Sequence, residues 1–137
     1  MKRIFLDTNI LLDVVMRRSD FYLKSALVWA DCENRKVQGL ISAISLNNIH
    51  YIMRKQVEPA AALEYIRFIL DIFSIVPLDY PILRLAANQP SRDFEDAIQI
   101  YSAVLAKADC IVTRDRQHFS NDHINIISPE EYLDLSK

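Results

Sequence analysis

The sequence contains a single glycine, Gly39, among its 137 residues. A G-x-G-x-x-G dinucleotide motif and a P-loop each require more than one glycine, so neither can be formed here. These motifs are the two commonest phosphate-binding loops of α/β proteins. The scarcity of glycine therefore excludes nucleotide hydrolases of the usual kinds.

The chain also lacks an excess of positive charge, closely spaced cysteines and long apolar segments. Sixteen basic and eighteen acidic residues leave a net charge of −2, so a polyanion would need a local patch or a bound cation. Cys32 and Cys110 are too far apart for a zinc knuckle, and we expect both to be buried as small apolar residues. No stretch approaches the ~20 apolar residues of a membrane span, and no signal-peptide pattern precedes the first strand. We expect a soluble protein without membrane contact, in the cytoplasm by default.

Length and an apolar content of 51% predict a single domain over residues 1–137. Apolar runs alternate with amphipathic helical segments, which predicts a doubly wound α/β/α sandwich around a mostly parallel sheet of four to five strands. The predicted strands are 2–6, 37–42, 75–76, 109–113 and 124–127. The predicted helices are 8–18, 21–35, 45–55, 59–73, 79–87, 94–108 and a terminal helix starting at 128–131. In the second helix the residues expected to face the core are Leu23, Ala26, Leu27, Trp29 and Ala30.

Four aspartates lie where this chain would turn from a strand or loop into a helix: Asp7, Asp93, Asp96 and Asp115. Each alone is explained as a helix cap or turn residue. However, Asp93 and Asp96 share a face of one helical turn, and capping needs only one of them. Asp7 and Asp115 follow strands whose carboxyl ends would meet at the ligand-binding crevice of an open α/β sheet. Carboxylates that converge there repel one another unless a cation is bound.

An acidic site without histidine or cysteine suits Mg²⁺ or Mn²⁺ better than zinc, because hard dications prefer oxygen ligands. One or two such ions can polarise a phosphodiester, activate a water and neutralise the leaving oxygen. The pattern therefore favours metal-dependent hydrolysis of phosphodiesters.

Three segments of the chain resemble the PIN domain, particularly the VapC-like toxin ribonucleases: LDTNILLD, ISAISLNNIHYIMRK and DFEDAIQIYSAVLAKADCIVTRD. Together with the helix order, the resemblance spans almost the whole chain. It implies that Asp7, Asp96 and Asp115 hold a divalent metal, with Asp93 beside them as an auxiliary acid.

Further positions match the same family pattern. Thr8 and Asn9 match the polar residues after the first aspartate, and Thr113 with Asp115 matches the Thr-x-Asp ending. The resemblance implies that the Thr113 hydroxyl orients a carboxylate.

One position departs from the pattern. PIN domains commonly carry a glutamate early in the helix after the second strand, where this chain has Asn48. Asn48 can offer a carbonyl oxygen to a cation or bond a metal-bound water, but the lost charge weakens metal affinity. A cap or surface role explains Asn48 equally well. Glu95 and Asp93 are candidates to compensate.

Basic and aromatic residues are weaker candidates for binding substrate. Arg114, Arg116 and His118 lie next to Asp115 and can bind a scissile or flanking phosphate. A solvated loop is the alternative, and it is favoured for Arg116 and His118. Four aromatic residues fall at helical spacing and are interpreted as core residues rather than base-stacking platforms: Tyr51, Tyr65, Phe68 and Tyr101.

The leading hypothesis is an Mg²⁺- or Mn²⁺-dependent endoribonuclease, the toxin component of a toxin–antitoxin pair. The resemblance implies RNA as substrate, a small antitoxin protein as partner and a possible homodimer. The alternative is a PIN-like domain that lost catalysis with its glutamate and only binds RNA or protein. A phosphatase or phosphoacceptor with Asp7 as nucleophile fits poorly, because a D-x-D-x-T loop would need an aspartate at Asn9.

Overall fold

The computed structural model describes residues 1–90, 93–116 and 123–136, which form five strands and seven helices. The strands are β1 (Arg3–Leu6), β2 (Gln38–Ser42), β3 (Ser74–Val76), β4 (Cys110–Val112) and β5 (Asn125–Ile127). The helices are α1 (Thr8–Val15), α2 (Tyr22–Glu33), α3 (Ala43–Met53), α4 (Pro59–Ile72), α5 (Tyr80–Ala87), α6 (Phe94–Leu105) and α7 (Pro129–Leu135).

The five strands form one sheet in the order β3-β2-β1-β4-β5, and every pairing is parallel. The chain runs outward from β1 through β2 to β3, and then builds β4 and β5 on the other side of β1. The strand order therefore reverses between β1 and β4, the position at which open α/β sheets bind ligands. Leu6 pairs with Val112 in the register, so the chain leaves both strands side by side.

Helices cover both faces of the sheet, which confirms the predicted α/β/α sandwich. Along β1, Ile4 and Leu6 point into one core and Phe5 points into the other, as the pleat requires. The first core includes residues of α1, α2, α3, α4 and α7, and the second includes residues of α5 and α6. Both cysteines are buried. Within the described residues, no helix combines the length and apolar composition that crossing a membrane requires.

Two helices end three residues earlier than predicted: α1 at Val15 and α6 at Leu105. Arg17 and Lys107 follow these ends with φ of 50° and 59°, in the left-handed conformation that usually falls to glycine. Because basic residues take this place, the sequence carries no obvious stop signal. α3 begins two residues early because the Ser42 hydroxyl accepts a hydrogen bond from the Ile44 amide. The other boundaries agree within two residues.

The predicted buried stripe of α2 is wrong in part. Leu23 is 70% exposed and Leu27 is 48% exposed. The buried residues of this helix are Ser25, Val28, Trp29 and Cys32. Ser25 faces inward because its hydroxyl donates to Asp13 Oδ2 at 3.0 Å, a contact that apolar periodicity does not reveal.

A buried ion pair fastens the loop after β4 to α1. Asp13 is fully buried, and Arg114 donates to its two oxygens from Nε at 2.8 Å and from Nη2 at 3.0 Å. Arg18 adds a longer contact of 3.4 Å, and the guanidinium carbon of Arg114 lies 3.7 Å from the centre of the Phe21 ring. This bidentate hydrogen bonding holds the loop in place, because both bonds orient the planar guanidinium.

Gly39 allows α2 and the end of α4 to pack closely against β2. A Cβ atom at this position would lie 2.6 Å from Phe73 Cδ1 and 2.7 Å from Cys32 Sγ. Its backbone φ is not positive, so the requirement is for space and not for an unusual conformation.

Gly39→Ala should lower the free energy of unfolding by about 1–3 kcal/mol, because a methyl group forced into a packed core displaces its neighbours. Urea denaturation checks this. In a Phe73→Leu background, Gly39→Ala should lower the free energy of unfolding by less, because the Phe73 ring supplies two of the three closest contacts. A Gly39→Ala chain as stable as the parent would contradict the packing described here.

Asp13→Asn should destabilise the chain by about 3 kcal/mol, because it leaves the Arg114 guanidinium without a charged partner. This destabilisation is at the lower end of the range for buried ion pairs, because the Arg114 side chain is 22% exposed. Asp71→Asn, the same change at an exposed position of α4, should stay within about 0.5 kcal/mol of the parent. Equal effects of the two substitutions on urea unfolding would rule out an anchoring role for Asp13.

Candidate functional site

A cleft of about 410 Å³ opens at the carboxyl end of β1, between α1, α3 and α6. Its lining residues are Asp7, Thr8, Asn9, Leu12, Asn48, Tyr51, Ile52, Glu95, Asp96 and Gln99. Six of the polar residues singled out from the sequence share this depression: Asp7, Thr8, Asn9, Asn48, Glu95 and Asp96. Asp93, Thr113, Arg114, Asp115 and Arg116 are not among its lining residues. The interpretation of Tyr51 as a core residue is wrong, because its side chain lines this cleft and the residue is 50% exposed.

Asp7 ends β1 and stands at the N-cap position of α1, but its side chain makes no capping hydrogen bond. Instead Asp7 Oδ2 accepts a hydrogen bond from the Thr113 hydroxyl at 3.0 Å. The same hydroxyl oxygen accepts from the backbone amide of Asp115 at 3.0 Å. One buried threonine therefore connects the first candidate acid with the segment that carries the last one.

The pKa of Asp7 is raised from 3.8 to about 6. Burial is the largest cause, since the side chain is almost entirely removed from water. The hydrogen bond from Thr113 lowers this pKa, whereas the negative charges of Asp96 and Asp115 raise it. The three acids thus interact electrostatically, and the ionised form of Asp7 would be stabilised by added positive charge.

The carboxylates do not form a ready ligand cluster. In residues 1–90, 93–116 and 123–136, no three His, Cys, Asp or Glu side chains lie close enough together to hold a metal ion as they stand. The expected convergence of carboxylates at the crevice therefore does not produce a complete ligand set among these residues. The donor chemistry nevertheless fits a hard dication, because the acids that act on Asp7 are all carboxylates.

Asp93 caps α6. Its Oδ1 accepts hydrogen bonds from the amides of Glu95 at 2.9 Å and Asp96 at 3.2 Å, and the residue is exposed. The ordinary explanation for Asp93 is therefore observed. By fixing the first turn of α6, this cap helps to place Glu95 and Asp96 at the cleft.

Hydroxyl and amide groups form the floor of the cleft. The Thr8 and Ser45 hydroxyl oxygens lie 2.6 Å apart, and Gln99 Nε2 donates to Thr8 Oγ1 at 2.7 Å. All three residues are buried, so the contacts join α1, α3 and α6 without solvent. Ser45 and Gln99 were not among the candidate residues predicted from the sequence. Their signal was position, since Gln99 follows Asp96 by three residues and Ser45 precedes Asn48 by three, on the same helical faces.

The two asparagines at the cleft are engaged by neighbouring side chains. Asn9 Oδ1 accepts from Arg18 Nη1 at 3.1 Å. Asn48 Nδ2 donates to Glu95 Oε1 at 2.7 Å, which brings a carboxylate to the position beside Asn48. Asn48 is not the cap of α3, because Ser42 holds that place.

The arginines after β4 both pair with carboxylates. Arg114, expected at the phosphate rim, uses Nε and Nη2 on Asp13, so those donors are not directed at the cleft. Arg116 Nη1 lies 3.1 Å from Glu131 Oε1 on the surface, where ion pairs contribute little. His118, the third residue of the expected rim, lies outside the described residues.

Several solved structures are similar to this chain. VapBC2 from Rickettsia felis, bound to a DNA fragment from its promoter, has a TM-score of 0.68 at 15% identity, covering 92% of this chain and 98% of that chain. FitAcB from Neisseria gonorrhoeae has a TM-score of 0.65 at 17% identity, covering 93% and 98%. VapC20 from Mycobacterium tuberculosis, described as a sarcin-ricin loop cleaving toxin, has a TM-score of 0.64 at 13% identity, covering 79% and 86%. At these identities the likeness concerns the fold.

Comparison with curated protein sequences gave no match. A sequence profile of the PIN domain, in contrast, matches residues 3–117, from the start of β1 to just beyond Arg116. That range contains β1 to β4, α1 to α6 and every residue of the acidic cleft. Since the profile covers most of the chain and the fold agrees, this chain belongs to the PIN domain family.

Proposed function

We propose that this protein is an Mg²⁺- or Mn²⁺-dependent endoribonuclease and the toxin component of a toxin–antitoxin pair. One contrast within α1 and its N-cap carries the proposal. Asp7 and Asp13 are both buried carboxylates, but Asp13 is paired with Arg114 whereas Asp7 forms no ion pair among the described residues. The charges nearest to Asp7 that affect its pKa are negative. A buried acid in such surroundings is suited to an external dication.

The proposed ligand oxygens belong to Asp7, Asp96 and Asp115, as the family resemblance implies. When bound, Mg²⁺ or Mn²⁺ would place a positive charge next to the scissile phosphate and would lower the pKa of a water that it binds. Thr113 holds the Asp7 carboxylate in place through its hydroxyl and at the same time holds the Asp115 backbone. The floor formed by Thr8, Ser45 and Gln99 keeps the three helices at fixed distances.

In this proposal Asn48 and Glu95 together replace the glutamate that PIN domains commonly carry at the position of Asn48. The hydrogen bond from Asn48 holds the Glu95 carboxylate at the cleft, so one negative charge remains near the position of the usual glutamate. Asn48 thereby acts as a positioning residue, and Glu95 either ligates the dication or bonds its waters. Asp93 stays outside the ligand set, because its carboxylate caps α6.

Family membership and the solved relatives support RNA and an antitoxin as partners. The relatives include toxin–antitoxin complexes of the VapBC and FitAB type, and VapC20 is described as cleaving the sarcin-ricin loop. Apolar side chains on α4 are more than one-third exposed and offer surface for an antitoxin or a second copy of the chain. They are Leu63, Tyr65, Phe68 and Leu70. A single domain over residues 1–137 and a cytoplasmic location stay predictions.

The second candidate function is a PIN domain that binds RNA or protein without cutting. Two observations favour it: no three potential ligands are gathered in the described residues, and Asn48 replaces a charged residue of the family pattern. Metal affinity separates the two candidates, because only the nuclease requires a dication in the cleft.

In the presence of Mn²⁺ the purified chain should cut RNA, and Asp7→Asn or Asp96→Asn should abolish cutting because each removes a ligand charge. Cleavage of a labelled RNA followed by gel electrophoresis measures this. Asp71→Asn provides the matched control, since it makes the same change at an exposed site on α4. Equal cleavage by all of these chains would indicate a contaminating nuclease and contradict the assignment.

Glu95→Gln should weaken Mn²⁺ binding by about tenfold or more, because it removes the charge that Asn48 holds at the cleft. Isothermal titration calorimetry with MnCl₂ measures the affinity directly, whether or not RNA is cut. Glu64→Gln, an exposed glutamate of α4, is the control and should bind Mn²⁺ as the parent does. If the parent binds no Mn²⁺ at millimolar concentration, the non-catalytic candidate is correct instead.

A further inference from the structure

Tyr51 stands at the edge of the acidic cleft on a face of α3 that is not used for the core. The buried residues of this helix are Ser45, Ile49 and Met53. Tyr51 follows Asn48 by three residues, so the two side chains lie on neighbouring turns above the same cleft. With half of its surface exposed, the tyrosine is not needed to complete the hydrophobic core.

Two cations surround the Tyr51 ring. The Arg54 guanidinium carbon lies 5.2 Å and Lys55 Nζ lies 4.1 Å from the ring centroid. Among the described residues, neither cation forms an ion pair with a carboxylate, in contrast to Arg114 and Arg116. No lysine or arginine is among the described residues that line the cleft, so Arg54 and Lys55 bring positive charge to its edge.

We propose that Tyr51, Arg54 and Lys55 form a nucleotide subsite that binds single-stranded RNA beside the acidic cleft. The base of one nucleotide stacks on the Tyr51 ring, and Arg54 and Lys55 bind a flanking phosphate. This inference rests on the proposed function for the identity of the ligand. It adds the residues that bind the substrate and the preference for unpaired nucleotides.

The chemistry of the three side chains fits this ligand. Exposed cation–π contacts are weak compared with the stacking of a base on an aromatic ring, so an incoming base can displace a cation from the ring. The displaced cation then remains within reach of the phosphate that the same nucleotide carries. A base in a duplex is already stacked, so its face is not available to Tyr51. The subsite therefore selects single strands, loops or bulges.

The subsite lies beside the acidic cleft, where it can offset the repulsion between the carboxylates and RNA. Acidic side chains alone repel an RNA backbone, and the net charge of −2 provides no long-range attraction. The cations that follow α3 offset this repulsion locally, and the stacked base holds the strand across the residues that surround Asp7. Tyr51, Arg54 and Lys55 thus provide affinity for RNA, whereas the carboxylates of the cleft bind the metal.

Fluorescence anisotropy with a short fluorescein-labelled single-stranded oligoribonucleotide tests the proposal. Binding is measured in an Asp7→Asn background so that the probe is not cut. Tyr51→Ala should weaken binding by about tenfold or more, the effect expected when one stacked base is lost. Tyr51→Phe keeps the ring and should recover most of that affinity.

Tyr80→Ala is the matched control, because Tyr80 is another exposed tyrosine with an arginine, Arg84, over its ring at 5.4 Å. It lies on α5, outside the lining of the cleft, and its loss should leave RNA binding unchanged. Equal losses for Tyr51→Ala and Tyr80→Ala, with both chains folded by circular dichroism, would overturn the subsite.

Salt dependence tests the cations separately. An Arg54→Gln, Lys55→Gln double variant should reduce the slope of log K against log salt concentration by about 0.7, the contribution of one phosphate contact on a single strand. An unchanged slope would contradict a phosphate-binding role. If the parent chain binds RNA through Tyr51 but does not cut it with Mn²⁺, the nuclease proposal fails and the subsite stands. If the Asp7→Asn chain binds no single-stranded RNA, the subsite itself fails.

Discussion

The hydrogen bond from the Thr113 hydroxyl to the buried carboxylate of Asp7 connects the two strands on which the candidate site depends. β1 and β4 lie side by side where the strand order reverses, so Asp7 and the segment that ends at Asp115 leave the sheet next to each other. Through the same hydroxyl oxygen, Thr113 also accepts from the Asp115 amide. The position of both acids is therefore a consequence of the sheet register and one buried hydroxyl.

Two buried aspartates near the start of the chain are stabilised in different ways. Asp13 has an internal counter-ion in Arg114, whose guanidinium also packs on Phe21, so its charge is balanced within the fold. Asp7 is balanced only by hydrogen bonds among the described residues, and Asp96 and Asp115 act against its ionisation. Asp13 thus holds the loop after β4 against α1. The negative charge of Asp7 has no such counter-ion among the described residues, and the proposed dication would supply one.

Sequence alone predicted the fold because hydrophobic periodicity and strand–helix alternation are local signals. It did not reveal Asp13, whose carboxylate in the middle of an apolar helix required a partner 101 residues away. Because Arg114 binds Asp13, it does not take the expected place at the phosphate rim. A second hydrogen bond to Asp13 explains why Ser25 is buried although the apolar pattern did not predict it. Tyr51 was misplaced for a related reason, since helical spacing does not tell which face of α3 meets the sheet. Side-chain pairing between distant segments is what the sequence pattern leaves undetermined.

In the proposed function the carboxylates of Asp7 and Asp96 bind a dication in the cleft. A crystal structure of the chain soaked in MnCl₂, with anomalous data that locate manganese, tests this most directly. We expect an anomalous peak in the cleft with carboxylate oxygens of Asp7 and Asp96 as ligands, at about 2.0–2.2 Å, the range for small divalent ions. Absence of manganese from the cleft, with manganese present in the soaking solution at millimolar concentration, would contradict the proposal.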